Sequence, residues 1–166
     1  MKRLLALALA SGVLMLLSTA LASPAMAATT VPVSMTFTEA GPAANTGCTP
    51  GISSCGHGQV RPFGQATENI VFGAGCGGSC DFRTINLAGG SIFIDEVFSN
   101  PTCPGVCQPN PAFPFSGTLT DTIVGGTGTF ANATGNLSGS IHLAGGIVKP
   151  AGGTMIKLSG TITLAN

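Results

Sequence analysis

A two-residue alternation constrains this chain more than any other feature. Val31, Val33, Met35 and Phe37 alternate with Pro32, Ser34, Thr36 and Thr38. Near the C-terminus Ile156, Leu158, Ile162 and Leu164 alternate with Lys157, Ser159, Thr161 and Thr163. Successive side chains of a strand point to opposite faces, so the pattern buries one face and wets the other. A second strand is expected over 59–72, bent or interrupted near Pro62 and Gly64. Residues 82–87 and 91–98 read as a hairpin around Ala88-Gly89-Gly90. Residues 115–124 and 136–143 follow, with a short strand and a turn between 125 and 135. No segment after residue 27 carries a helical period. The fold class is therefore all-β, an antiparallel β-barrel of about eight strands, with a β-sandwich as the alternative. Charged residues are only 7% of the chain, leaving few to guard exposed sheet edges. Closure into a barrel removes the edges.

The first 27 residues stand apart. Lys2-Arg3, an apolar run from Leu4 to Leu21 and the small-x-small site Ala25-Met26-Ala27 have the form of a bacterial signal peptide. Cleavage before Ala28 leaves 28–166 as a single domain, with no membrane segment, secreted or held in the periplasm or at the cell surface. That mature part carries Arg61, Arg83, Lys149 and Lys157 against Glu39, Glu68, Asp81, Asp95, Glu96 and Asp121, four positive against six negative, a net of −2. No basic patch exists, so nucleic acid is excluded as a partner. All six cysteines lie in the mature part, and an even count in an exported chain reads as disulfides. The spacing favours local pairs: Cys48–Cys55, Cys76–Cys80 and Cys103–Cys107. A zinc site from the two C-x3-C pairs is the weaker alternative, because the spacing is not a zinc signature. No metal is expected.

The stretch Gly126-Thr127-Gly128-Thr129-Phe130-Ala131 matches a dinucleotide-binding turn, G-x-G-x-x-G/A. That turn needs a following helix and an acid about 20 residues on. The residues that follow are poor helix formers, and no Asp or Glu occurs after Asp121. No cofactor is expected. The glycines instead read as permission for close strand packing, a bulge and a tight turn, with Phe130 as a core anchor.

The segment GGTGTFANATGNLSGSIHL, followed by IKLSGTITL, resembles bacterial members of the allene oxide cyclase barrel group and the related dirigent proteins, in which a G-G-T-G-x-F-x-x-A-x-G-like segment lies between late strands. It covers roughly the last third of the chain and, more weakly, residues 115–124. The resemblance implies an eight-stranded antiparallel barrel, a dimer or trimer, and a small apolar cavity. It also implies activities such as cyclisation of reactive lipid epoxides or guided coupling of phenolic radicals.

In a small barrel the apolar parity of each strand points inward. Three carboxylates share that parity: Glu68 with Ile70 and Phe72, Glu96 with Ile92, Ile94 and Phe98, and Asp121 with Leu119 and Ile123. A buried carboxylate is costly unless paired, and its raised pKa suits acid–base work. Glu96, Glu68 and Asp121 are thus the catalytic candidates, with Arg83 and Arg61 as structural partners. Asp95 falls on the opposite, solvated parity. His142 lies on the polar face, and His57 in a glycine-rich loop beside Cys55.

The favoured function is non-catalytic binding of a small apolar molecule, or a scaffold role. The alternatives are a cyclase- or isomerase-like enzyme using an inward carboxylate, and a structural oligomeric surface protein. If the strands run up and down in order, loops 74–81 and 99–112 share one end of the barrel and loop 39–58 the other.

Overall fold

The computed structural model describes residues 27–40, 48–102, 115–143 and 153–165. Eight strands follow one another: β1 (Thr29–Ala40), β2 (Ser54–Arg61), β3 (Gly64–Gly75), β4 (Cys80–Leu87), β5 (Gly90–Thr102), β6 (Phe115–Gly126), β7 (Thr134–Leu143) and β8 (Thr154–Leu164). Each pairs antiparallel with the next, and β1 pairs with β8, from Thr29 opposite Leu164 to Glu39 opposite Thr154. The sheet is a closed up-and-down barrel, which excludes the sandwich. Because every strand has two neighbours, no backbone edge is left for another chain to pair with.

Two expected elements differ. Residues 59–72 are two strands, because the chain reverses at Pro62-Phe63 between β2 and β3. The expected short strand between 125 and 135 is absent: β6 runs on to Gly126, and a single 3-10 turn, Gly128–Phe130, follows. The extra reversal at Pro62 also corrects the topology. Odd-numbered strands run toward one end and even-numbered strands away from it, so the β1–β2, β3–β4, β5–β6 and β7–β8 connections all emerge there. The 39–58 region therefore shares an end with the 74–81 and 99–112 regions. We call this the upper end.

The lower end is sealed by apolar side chains. Phe130 is carried across the opening by the 3-10 turn, and its ring meets Phe63 edge-on at 5.1 Å. Such a T-shaped pair aligns the positive ring edge with the negative ring face. Gly128 makes the turn possible, since its φ of +57° lies in the left-handed region, and a Cβ there would strike the Gly89 carbonyl. Above the plug, inward residues of every strand fill the barrel, including Met35, Phe37, Val60, Ile85, Ile94 and Ile156. Phe130 is buried among them, as its sequence position led us to expect.

The bridges Cys48–Cys55 and Cys76–Cys80 are formed, both near the upper end. They are compatible with an extracellular or periplasmic protein. Cys103 and Cys107 lie outside the described residues, as does the apolar run 4–21 of the expected signal peptide. Among the described residues no helix is long and apolar enough to cross a membrane.

Truncating the plug tests this packing. Phe130→Ala should lower unfolding stability by about 3 kcal/mol, the usual loss for a buried phenylalanine. Urea denaturation should show the loss with an unchanged slope, and a change below about 0.5 kcal/mol would mean that the lower end is not sealed by this ring.

Candidate functional site

Toward the upper end polar side chains enter the barrel interior, interleaved with apolar ones such as Ile70 and Leu119. Glu39, Ser54, Glu68, Arg83, Glu96, Asp121 and Thr154 are all buried. They come from β1, β2, β3, β4, β5, β6 and β8. The alternation that builds the core builds this cluster too. Glu39 is the next inward position after Val33, Met35 and Phe37. Glu68 lies between Ala66 and Ile70, Glu96 follows Ile92 and Ile94, and Asp121 lies between Leu119 and Ile123.

Arg83 is the centre. Its guanidinium is 1% exposed and engages three carboxylates. Nη1 donates to Glu39 Oε1 at 2.9 Å and also to Glu68 Oε2. Nε and Nη2 donate to Glu96 Oε2 at 2.8 and 2.6 Å. Ser54 Oγ donates to the other oxygen of Glu39 at 3.1 Å. The partners come from both strands beside β4 and from β1, farther round the barrel. Gly56 gives Glu68 its room, because a Cβ there would lie 2.8 Å from Glu68 Oε1 and 2.6 Å from the Thr38 carbonyl.

The charges do not balance. One guanidinium faces four carboxyl groups, and three carboxyl oxygens have no hydrogen-bond partner among the described residues: Glu68 Oε1 and both oxygens of Asp121. Asp121 is fully enclosed. Burial, then the negative charge of Glu96 beside it, pushes the Asp121 carboxyl from 3.8 up to about 8, against the smaller pull of Arg83. Burial likewise raises Glu68 well above the usual carboxylate range, and raises Glu96, although Arg83 works against both shifts. For Arg83 burial disfavours the charge, but Glu68, Glu96, Glu39 and Asp121 together hold it firmly protonated. The cluster therefore stores protons: at neutral pH Asp121 is a carboxylic acid, able to donate as well as accept.

All three sequence candidates lie inward and buried in one cluster, and Arg83 is the structural partner of Glu68 and Glu96 but not of Asp121. Arg61 is exposed and takes no part in the cluster. Asp95 points outward and is half-buried. His142 is exposed, with Nδ1 2.7 Å from Ser116 Oγ. His57 lies in β2 rather than in a loop, facing outward opposite Thr38 and Thr67. Phe72 breaks its expected parity. β3 carries a register shift between Val71 and Gly75, anchored where Gly73 N–H donates to Asp81 Oδ1 at 2.8 Å, and Phe72 is 51% exposed at the upper end. Phe98 is also exposed there, lying over Gly117.

Three members escaped the sequence reading, Glu39, Ser54 and Thr154. Glu39 continues an apolar alternation with a charged residue, the same signal that marked Glu96. Ser54 had no signal, since nothing around it alternates.

No family model matches the chain, and neither a curated protein nor a solved structure matches it.

Two outcomes are expected. Removing the cation should leave four buried carboxyls without compensation, so Arg83→Met should destabilise by at least about 3 kcal/mol at pH 8. The deficit should shrink at pH 4, where Asp121 and Glu68, both raised by burial, keep their protons; equal losses at both pH values would mean that packing, not charge, is the cause. In the wild type the folded state holds more protons than the unfolded chain across the window from about 4 to about 8 for Asp121. Stability must therefore fall as pH rises through that window. Asp121→Asn should flatten this fall, and an unchanged pH profile of melting temperature would show that Asp121 is ionised in the fold.

Proposed function

We propose that this chain is an exported β-barrel that binds a small, largely apolar molecule at the upper end of the barrel, without converting it. The observation that carries the reading is the set of unpartnered carboxyl oxygens in the buried cluster. Buried polar atoms are nearly always hydrogen-bonded, and those left over call for a partner from outside the fold. The lower interior is filled by side chains, so a guest enters from the upper end. There Phe72 and Phe98 offer apolar contact, and the carboxyl cluster forms the polar floor. Few polar groups in an otherwise apolar site are the usual means of orienting a small ligand. The glycine-rich late segment and the eight-stranded closure support placing the chain beside the allene oxide cyclase and dirigent barrels.

A second reading is a cyclase- or isomerase-like enzyme, favoured by one observation: Asp121 holds its proton up to about 8 with Glu96 opposite it across the β5–β6 ladder. An acid poised near neutral pH beside a second carboxyl is the equipment of general acid catalysis.

Native mass spectrometry of the exported protein tests the first reading. A co-purifying small molecule should appear, and Asp121→Leu should release it. No adduct from the native source, together with no chemical-shift change at Glu96 or Asp121 in a screen of small amphiphiles, would overturn it. Turnover of a screened compound, with a rate that falls above about pH 8 and is abolished in Asp121→Asn, would select the enzyme instead.

A further inference from the structure

The cluster also restricts the chemistry of its guest. We propose that the molecule bound at the upper end carries an ammonium head, making the ligand class a small amphiphilic amine. This inference rests on the binding reading above and adds the charge of the head group.

The first argument is the charge count. Four carboxyl groups surround one guanidinium, and the surplus is negative. The second is where the donors and acceptors stand. Arg83 has five N–H donors, and four hydrogen bonds to glutamate oxygens already occupy it. An anionic head would find no free cation. The open valences are acceptors: Glu68 Oε1 and the two oxygens of Asp121, both side chains fully buried within the cluster. An ammonium, with one positive charge and N–H donors to spare, complements the two unpartnered oxygens of Asp121, and the charge of Glu68 adds to the same negative surplus.

A metal ion fits less well. It needs several donor atoms converging on one point, and these carboxylates come from four separate strands. Among the described residues the donor atoms that do converge are those of Cys76, Cys80 and Asp95, where the two sulfurs are bonded to each other. An organic cation needs no such convergence of several residues, since the two oxygens of the single Asp121 carboxyl can hold it. Its carbon chain would lie toward the exposed rings of Phe72 and Phe98 at the rim.

Proton balance follows. The charged groups acting on Asp121 are Glu96 on β5 and Arg83 on β4, while Glu39 on β1 and Asp81 on β4 act on Glu96, and Glu39 and Glu96 act on Glu68 on β3; β7 sets Leu137 opposite Asp121, and β2 and β8 add the neutral Ser54 and Thr154 to the buried set. When empty, the cluster offsets its surplus with protons. When an ammonium enters, its charge replaces them, and protons leave to solvent. Binding should therefore strengthen as pH rises from 6 to 8.5, while the amine itself remains protonated up to about 10.

The test uses the exported, disulfide-bonded protein and three probes of equal chain length: hexylammonium, hexanol and hexanoate. Titration calorimetry should show hexylammonium binding most tightly, with proton release revealed by different heats in phosphate and Tris buffers. Asp121→Asn should weaken it about tenfold, the loss of one charge-assisted hydrogen bond. Glu68→Gln serves as the second variant and should weaken it in the same direction. Hexanol or hexanoate binding as tightly as the amine would overturn the ammonium head while leaving small-molecule binding intact. Hexylammonium binding that neither substitution weakens would place the amine elsewhere and overturn it too. Binding of none of the three probes would overturn both readings.

Discussion

The burial of Arg83 is the constraint on which the upper half of this barrel depends. A guanidinium removed from water is tolerable only if its donors are met by acceptors, and preferably by charged ones. Here the acceptors are Glu68 and Glu96 on the flanking strands and Glu39 on β1, which lies beyond β2 and β3. Their meeting requires the sheet to be closed, since β1 and β4 face each other only across an enclosed interior. It also requires register. A one-residue slip of β4 would turn Arg83 to the outside and strand three glutamates inside. The apolar residues below favour closure in general; the arginine network distinguishes this closure from its neighbours in register.

The two ends of the barrel solve opposite problems. At the lower end, Phe130 and Phe63 finish the core, and the chain supplies its own stopper. At the upper end the interior becomes polar, two disulfides tie down the connections, and apolar rings stand exposed at the rim. A barrel built only for stability would extend its apolar layers to both ends, because well-packed hydrophobes of similar volume often match or exceed a buried ionic network in stability. The upper end gives up that advantage.

Most of this architecture was legible in the sequence, because period two is a direct physical consequence of strand geometry. Alternation identified β1 and β8 and put Glu68, Glu96 and Asp121 on the inward face without reference to any contact. It failed where the chain departs from ideal pairing. Pro62 marked a bend or interruption of one expected strand and is a full reversal between two, so the end of the barrel reached by 39–58 came out inverted. Phe72 follows the parity of Ile70 in the sequence, but the register shift after Val71 turns it to solvent. Glu39 was lost because a charged residue ends an apolar alternation on paper, whereas in the fold Arg83 waits for it. Long-range pairing is invisible to a local pattern: nothing near Glu39 announces a partner 44 residues away.

Asp121 is where a purely structural account of the cluster fails. Glu39, Glu68 and Glu96 each repay part of their burial through Arg83. Asp121 does not: it has no hydrogen bond among the described residues, it faces Glu96 across the ladder, and it is held protonated up to about 8. Exchanging it for leucine, as at neighbouring Leu119, would remove an enclosed, unpaired polar group, a change that is commonly neutral or stabilising. A residue that weakens the empty fold and gains nothing from its neighbours acquires its value from something the empty fold lacks. Strongly shifted, buried carboxyls beside a second carboxyl concentrate at functional sites. The physical expense at Asp121 is thus independent of the charge count around Arg83, and both fall in the same buried cluster of the barrel.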